Sequence, residues 1–262
     1  RSHKRGDIDK AMRILVEHGA NPDILVESHP HIGSNKLPGI VQNLRETILE
    51  FGGEVYFDSK VTDFIIENEI MKGVIVNDSE EHIADAVILA TGHSARDIFF
   101  LLQKKNVYLE AKPFAIGIRA EHPQALIDEI QYKQNPRDEY LPASSYKLVT
   151  QADGRGVFSF CMCPGGLIVP AATAPEEIVV NGMSLSRRDS PFANSGIVVA
   201  LETEDSKNIL NEISNENPNE VINLKEEFRV NNNLNELGPV FDGLILQSLI
   251  EKRFFNASGK EI

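Results

Sequence analysis

The sequence predicts a mixed α/β (α+β) fold in two parts, and three observations carry that reading. Helix-period and strand-period stretches interleave up to about residue 106. Within them, the apolar run at 86–90 ends in Ala90-Thr91-Gly92 and opens onto a polar helix start. Such a run reads as a buried central parallel strand, and open α/β sheets hold ligands at the carboxyl ends of such strands. From Val107 onward strand-like stretches dominate, which marks a second, β-rich part.

Taken in order, Ile8, Met12, Leu15 and Val16 share one face of a helix over 8–18, with Gly19 as its stop. Residues 21–35 read as a turn, the short apolar stretch Ile24-Leu25-Val26, and a loop. Over 37–50, Ile40, Val41, Leu44, Ile48 and Leu49 predict a second amphipathic helix. Pro38 suits its first turn and Gly52-Gly53 ends it. Strand patterns follow at 54–57, 61–67 and 70–76, the last two joined at Glu67-Asn68-Glu69 as a hairpin, with one more at 81–84. A helix opens at Ser94 or Ala95 and runs to Lys105, with Asp97 well placed for the helix dipole. Further strands are expected at 107–120, 146–151, 156–162, 167–172, 178–182 and 197–202, with helices at 123–132 and 241–255. The Asn- and Glu-rich stretch 206–235 reads as a mobile surface excursion.

The 262 residues suffice for one large domain or two ordinary ones, and the 42% apolar content supports a core. A net charge of −13 argues against nucleic acid or an anionic membrane as partner, since both need a basic surface. No run approaches the roughly 18 apolar residues of a membrane span. The basic start Arg1-Ser2-His3-Lys4-Arg5 lacks the apolar stretch of a signal peptide. Two cysteines one residue apart form no disulfide framework, so a cytoplasmic location is expected. The chain starts without Met and contains no Gly-x-Gly-x-x-Gly, as a fragment of a longer protein would.

Several residue groups invite chemistry. His29 and His31 flank Pro30 in a loop, either as hydrogen-bonded loop histidines or as acid–base groups. No carboxylate or thiol joins them at metal-ligand spacing, so no metal is expected. Alternation puts Cys161 and Cys163 on one strand face as buried or cleft-lining thiols, since redox pairs prefer Cys-x-x-Cys. The neighbouring Pro164-Gly165-Gly166 turn lets a ligand approach the backbone. Arg187 and Arg188 either bind a carboxylate or phosphate with their planar forks or pair with Asp189 at the surface.

Three blocks together point to one family. The first is His29-Pro30-His31-Ile32-Gly33-Ser34-Asn35-Lys36-Leu37-Pro38, followed by Gly52-Gly53-Glu54-Val55 and Val61-Thr62-Asp63-Phe64. The second is Ala90-Thr91-Gly92-His93-Ser94-Ala95-Arg96-Asp97. The third runs from Phe158-Ser159-Phe160-Cys161-Met162-Cys163-Pro164-Gly165-Gly166 through Val180-Asn181-Gly182-Met183-Ser184 to Ser186-Arg187-Arg188-Asp189-Ser190. The chain resembles the bacterial FAD-dependent dehydrogenases described as NAD(FAD)-utilizing dehydrogenases, flavoproteins with two dinucleotide-binding domains.

The resemblance implies a partial FAD/NAD(P)-binding Rossmann-like domain with a β-meander over 1–106. An inserted β-rich substrate domain would fill 107–240, and a helical return segment 241–262. It implies an oxidoreductase that moves hydride between a nicotinamide cofactor (NADH or NADPH), FAD and an unidentified small-molecule substrate. Ala90, Thr91 and Gly92 would lie beside FAD, while His93 caps the helix or faces the cofactor; Val61 would meet the adenine side through its backbone. His31, Lys36, Cys163, Gly165, Gly166, Arg187, Arg188 and Asn194 are the candidates for a substrate cleft. The remaining parts of the FAD domain, including its glycine-rich pyrophosphate cradle, would be the partner of this chain. Alone it is expected to hold FAD weakly and to leave the 29–36 loop open. A non-catalytic binding module of the same architecture is the alternative.

Overall fold

The computed structural model describes residues 6–259; the basic start at 1–5 lies outside the described residues. The helices are α1 (Ile8–Glu17), α2 (Leu37–Glu50), α3 (Arg96–Lys104), α4 (Gln124–Tyr132), α5 (Thr203–Glu216), α6 (Pro218–Asn231) and α7 (Asp242–Ala257). The strands are β1 (Val61–Glu67), β2 (Ile70–Val76), β3 (Glu80–Ile83), β4 (Phe114–Pro123), β5 (Val149–Ala152), β6 (Arg155–Cys163), β7 (Gly166–Ala171), β8 (Val179–Ser184) and β9 (Phe192–Leu201). The fold is α+β, with sheets ordered β1-β2-β3, β4-β9-β6-β5 and β7-β8. The chain forms two compact units.

The first unit takes Arg1–Val55, Ala115–Ala171 and Val180–Ala200. Asp7 caps α1 by accepting from the Lys10 backbone N–H at 3.0 Å, and Gly19 ends the helix at φ +104°. Asn43 donates to the His18 carbonyl, and the His18 ring meets the Thr47 hydroxyl at 2.9 Å, so α1 and α2 are tied by side chains. Between them sits a small core of Ala20, Ile24 and Ile40, with Met12, Leu15, Val16, Ile32 and Leu44 packed against it. In the four-stranded sheet, β5 and β6 form a hairpin through Asp153-Gly154, both at positive φ. Strand β6 then runs antiparallel to β9 with a bulge: Phe160 faces Gly196 and Cys163 faces Asn194, so two residues of β6 oppose one of β9.

The second unit takes Tyr56–Phe114, Ala172–Val179 and Leu201–Ile262. Its meander is antiparallel throughout, and Asn68-Glu69, both at positive φ, make the tight turn between β1 and β2. Gly73 lies against the His82 carbonyl, where a Cβ would overlap it. The helical part packs round Phe100, stacked on Phe241 at 5.0 Å and touching Phe228 at 5.5 Å. Ile245, Leu246 and Leu249 bury the face of α7, with Leu210 of α5 and Val221 and Leu224 of α6.

Four expectations are corrected here. The run 86–90 forms no regular element and belongs to no sheet, and Ile88 is 90% exposed. A strand apolar on both faces is buried only between neighbouring strands and covering layers, and among the described residues no strand pairs with it. The 54–57 stretch likewise forms no strand, and β4 starts only at Phe114 rather than Val107. The polar 206–235 stretch is not an excursion: it lies in α5 and α6, because Leu210, Val221 and Leu224 hold buried positions inside a polar composition. None of the described helices is long and apolar enough to cross a membrane.

Candidate functional site

The first unit holds a cavity of about 590 Å³ built from four sequence segments. The 29–34 loop supplies His29, His31 and Gly33; the β6 bulge supplies Cys161 and Cys163; β8 supplies Gly182 and Met183; and the following loop supplies Arg188. The loop is not open, contrary to the sequence expectation. Ser34 donates twice to the Ser184 carbonyl, from its N–H at 3.1 Å and its hydroxyl at 3.0 Å. Asn35 accepts from the Ser186 N–H at 2.9 Å and donates to its hydroxyl at 3.2 Å. Gly33, at φ +94°, lies so close to Ser186 that a Cβ would overlap its backbone. This pinning across some 150 positions of sequence is what the residue types alone do not reveal.

His31 Nε2 lies 3.0 Å from the Leu185 carbonyl, which can only accept, so Nε2 carries the proton and Nδ1 is left for another partner. The backbone of Arg188 is left-handed at φ +52°, and its N–H donates to the Leu185 carbonyl at 3.0 Å. Beneath it, Gly165 approaches so closely that a Cβ would overlap the Arg188 carbonyl. Gly165 is in turn held by Gln124, whose Oε1 accepts from its N–H at 2.7 Å. Asp128 fixes that amide by accepting from Gln124 Nε2 at 2.8 Å. Burial opposes the charge of Asp128, but the Ser144 N–H, the Gln124 and Ser144 side chains and the Arg137 guanidinium outweigh it and hold the carboxyl below its usual range. A relay of buried polar groups therefore sets the Arg188 loop. Nothing in the local sequence of Gln124 or Asp128 announces it.

The bulge has its own support. Asn194 is fully buried and accepts from Arg119 Nη1 at 2.7 Å, and the same nitrogen donates to the Cys161 carbonyl at 3.1 Å. Gly182 leaves the room that the Arg119 guanidinium fills. Arg119, a cation set inside an apolar strand, is the one signal in the sequence that points to this support. The Cys163 thiol donates to the Cys161 carbonyl at 3.4 Å. Burial pushes this thiol up, and the neighbouring Cys161 adds to the push, so Cys163 stays protonated and uncharged near neutrality.

Of the substrate-cleft candidates, the structure brings His31, Cys163 and Arg188 to one cavity wall. Gly165, Gly166 and Asn194 stand behind that wall as supports. Lys36 precedes α2 and Arg187 points to solvent, and neither lines the cavity.

In the second unit, Ala90, Thr91, Gly92 and His93 form an exposed, irregular segment before α3. Gly92 has φ +72°, and the space a Cβ would take is open. His93 lines a cavity of about 830 Å³ with Phe99, Phe114, Lys207 and Phe241. Val61 lines a separate, smaller cavity of about 340 Å³ with Lys60 and Lys104. Behind His93, Arg96 is buried and pairs with Glu177 at 2.8 Å and Glu251 at 3.6 Å, rather than with Asp97, which takes Lys60. Ser248 donates to Glu177, while Arg96 Nη2, Glu177 Oε2 and Glu251 Oε2 have no hydrogen-bond partner.

Comparison with known proteins adds two findings. The chain is similar to an uncharacterized protein of Clostridium beijerinckii, 44% identical over 195 residues. The similarity covers 74% of this chain and 36% of that protein, so the chain spans well under half of its relative. Residues 113–231 match the family described as FAD-dependent protein, C-terminal domain-like. The matched stretch, which carries the bulge, the Gly165 turn and Arg188, is similar to an FAD-dependent, flavoprotein-type domain.

Proposed function

We propose that this chain is part of an FAD-dependent oxidoreductase that passes hydride between a nicotinamide cofactor, FAD and a small-molecule substrate. The observation that carries the reading is the match of residues 113–231 to an FAD-dependent protein family. The segment Ala90-Thr91-Gly92-His93 fits a flavin contact: its backbone is exposed, and Gly92 offers open space where any side chain would stand. Val61 is the second contact in this reading. FAD, when bound, supplies the two-electron carrier. The residues of the chain do the rest. Those at 90–93 bind and orient the ring system, while His31 and Arg188 line the cleft in which a substrate is held.

The test is flavin retention by the full-length protein, read as absorbance near 450 nm after FAD loading and desalting, followed by anaerobic bleaching with NADH and with NADPH. Retained flavin that bleaches supports the reading; a protein that holds no flavin refutes it. Gly92→Val should abolish retention. Because a side chain at φ +72° costs roughly 1–2 kcal/mol by itself, a thermal melt separates misfolding from loss of the contact.

A further inference from the structure

We infer that the 590 Å³ cavity of the first unit takes a small molecule with a carboxylate and an apolar body, and that Arg188 grips the carboxylate. The inference rests on the reading of this cavity as the substrate cleft and names the chemistry of what enters it.

The first argument is charge. The chain carries a net charge of −13, yet no Asp or Glu is among the described residues lining this cavity. Its titratable lining is two histidines, two thiols and one arginine. Cys163 keeps its proton and so does not oppose an anion. An acidic protein that keeps carboxylates out of one cavity has made that cavity attractive to anions.

The second argument is the arginine itself. Arg188 Nε is buried and has no hydrogen-bond partner, and no carboxylate pairs with this guanidinium among the described residues. Nε itself has almost no accessible surface, so the outer nitrogens of the guanidinium are the donors left to meet a carboxylate supplied by a ligand. The guanidinium fork matches a carboxylate with two parallel hydrogen bonds. The loop that carries it is held in a left-handed conformation over Gly165, and backbone strain of that kind persists where a site over-determines it. His31, with Nε2 occupied by the Leu185 carbonyl, presents a second group of fixed tautomer.

The third argument is the rest of the wall. Ile32, Leu37 and Met183 give the cavity an apolar side, and its volume falls in the range of small-molecule sites. A bare inorganic anion would leave that side in contact with nothing. A phosphate ester would call for a cluster of backbone N–H groups, and a single arginine serves a monoanion better.

The experiment is calorimetric titration of the flavin-loaded full-length protein with benzoate, benzamide and inorganic phosphate. Benzoate should bind at least about tenfold more tightly than its neutral isostere benzamide. Arg188→Gln should weaken benzoate by about ten- to a hundredfold, as expected for a lost charged hydrogen-bond pair. Arg188→Lys, which keeps the charge but not the fork, should fall between, and Arg187→Gln should change binding less than about twofold, as a solvent-screened charge that does not line the cavity does. Thermal melts confirm that the variants fold. The inference is overturned if benzoate does not bind, binds no better than benzamide, or is indifferent to Arg188→Gln. It is also overturned if phosphate alone binds, which would mark an inorganic-anion pocket. Flavin absorbance is read on the same samples. Flavin held without benzoate binding refutes the carboxylate and leaves the oxidoreductase reading standing; benzoate bound without flavin does the reverse.

Discussion

Replacing Arg96 by methionine removes one positive charge from a place where water cannot take over its role. Arg96 is 8% exposed, and its partners Glu177 and Glu251 are 1% and 5% exposed. The stem of the side chain keeps its packing in methionine, so the change isolates the charge. A surface pair of this kind would contribute about 0–1 kcal/mol. Here the two carboxyls are left buried without a cation, and removing one partner of a buried pair costs about 3–5 kcal/mol. At roughly 2–4 °C per kcal/mol for a chain of this size, the midpoint should fall by roughly 6–20 °C, read by thermal melt and by urea denaturation at pH 7. Burial already raises the Glu251 carboxyl, against the pull of Arg96. Without Arg96 it rises further, so the variant takes up a proton more readily than the wild type as the pH falls, and its deficit should be smaller at pH 5 than at pH 8. The triple change Arg96→Met, Glu177→Met and Glu251→Met should recover much of the loss, since an apolar replacement of a whole buried charge cluster is often near neutral. A loss below about 1 kcal/mol, or a deficit identical at both pH values, would refute the reasoning.

Two further outcomes follow from groups already described. The folded-state pKa of Glu251 is raised above its ordinary value, so its contribution is fully present below the ordinary carboxyl range and is lost as pH rises through the raised value. Glu251→Gln, which has no proton to lose and can donate to Glu177, should therefore gain on the wild type between pH 5 and pH 8. A denaturation series across that interval checks it, and parallel pH profiles would contradict it. Gly165→Ala should cost about 1–3 kcal/mol through overlap with the Arg188 carbonyl, measured by denaturation, and should displace the Arg188 loop, seen as backbone amide shifts at 185–190 by NMR. An alanine variant as stable as the wild type would mean that the close approach is not needed.

Local pattern decided much of the fold. Helix α2 and strands β1 and β2 fall on the residues that periodicity predicts, because each carries a clean 3.6 or 2 repeat and its own turn signals at Pro38, Gly52 and Asn68. Composition without periodicity is a poor guide to this chain. The Asn and Glu of 206–235 hid two helices whose buried positions are few but regularly spaced. The apolar run 86–90 failed in the opposite sense, since its hydrophobicity is real but its sheet partners are not among the described strands. In the cavity, His31, Cys163 and Arg188 stood out as residue types able to do chemistry. Arg119, Gln124 and Asp128 did not, because a hydrogen-bond relay between residues far apart in sequence leaves no trace in spacing.

The bare 86–90 run sets a limit on how this chain behaves in a crowded solution. Ala86-Val87-Ile88-Leu89-Ala90 has no charge, no proline and no glycine, and its amides and carbonyls are not engaged in any ladder. An uncharged, apolar, β-prone segment of that kind is the sequence type that pairs with identical copies in cross-β stacks. The segment that reads as the heart of a fold is, wherever it stands uncovered, an aggregation-prone stretch of sequence.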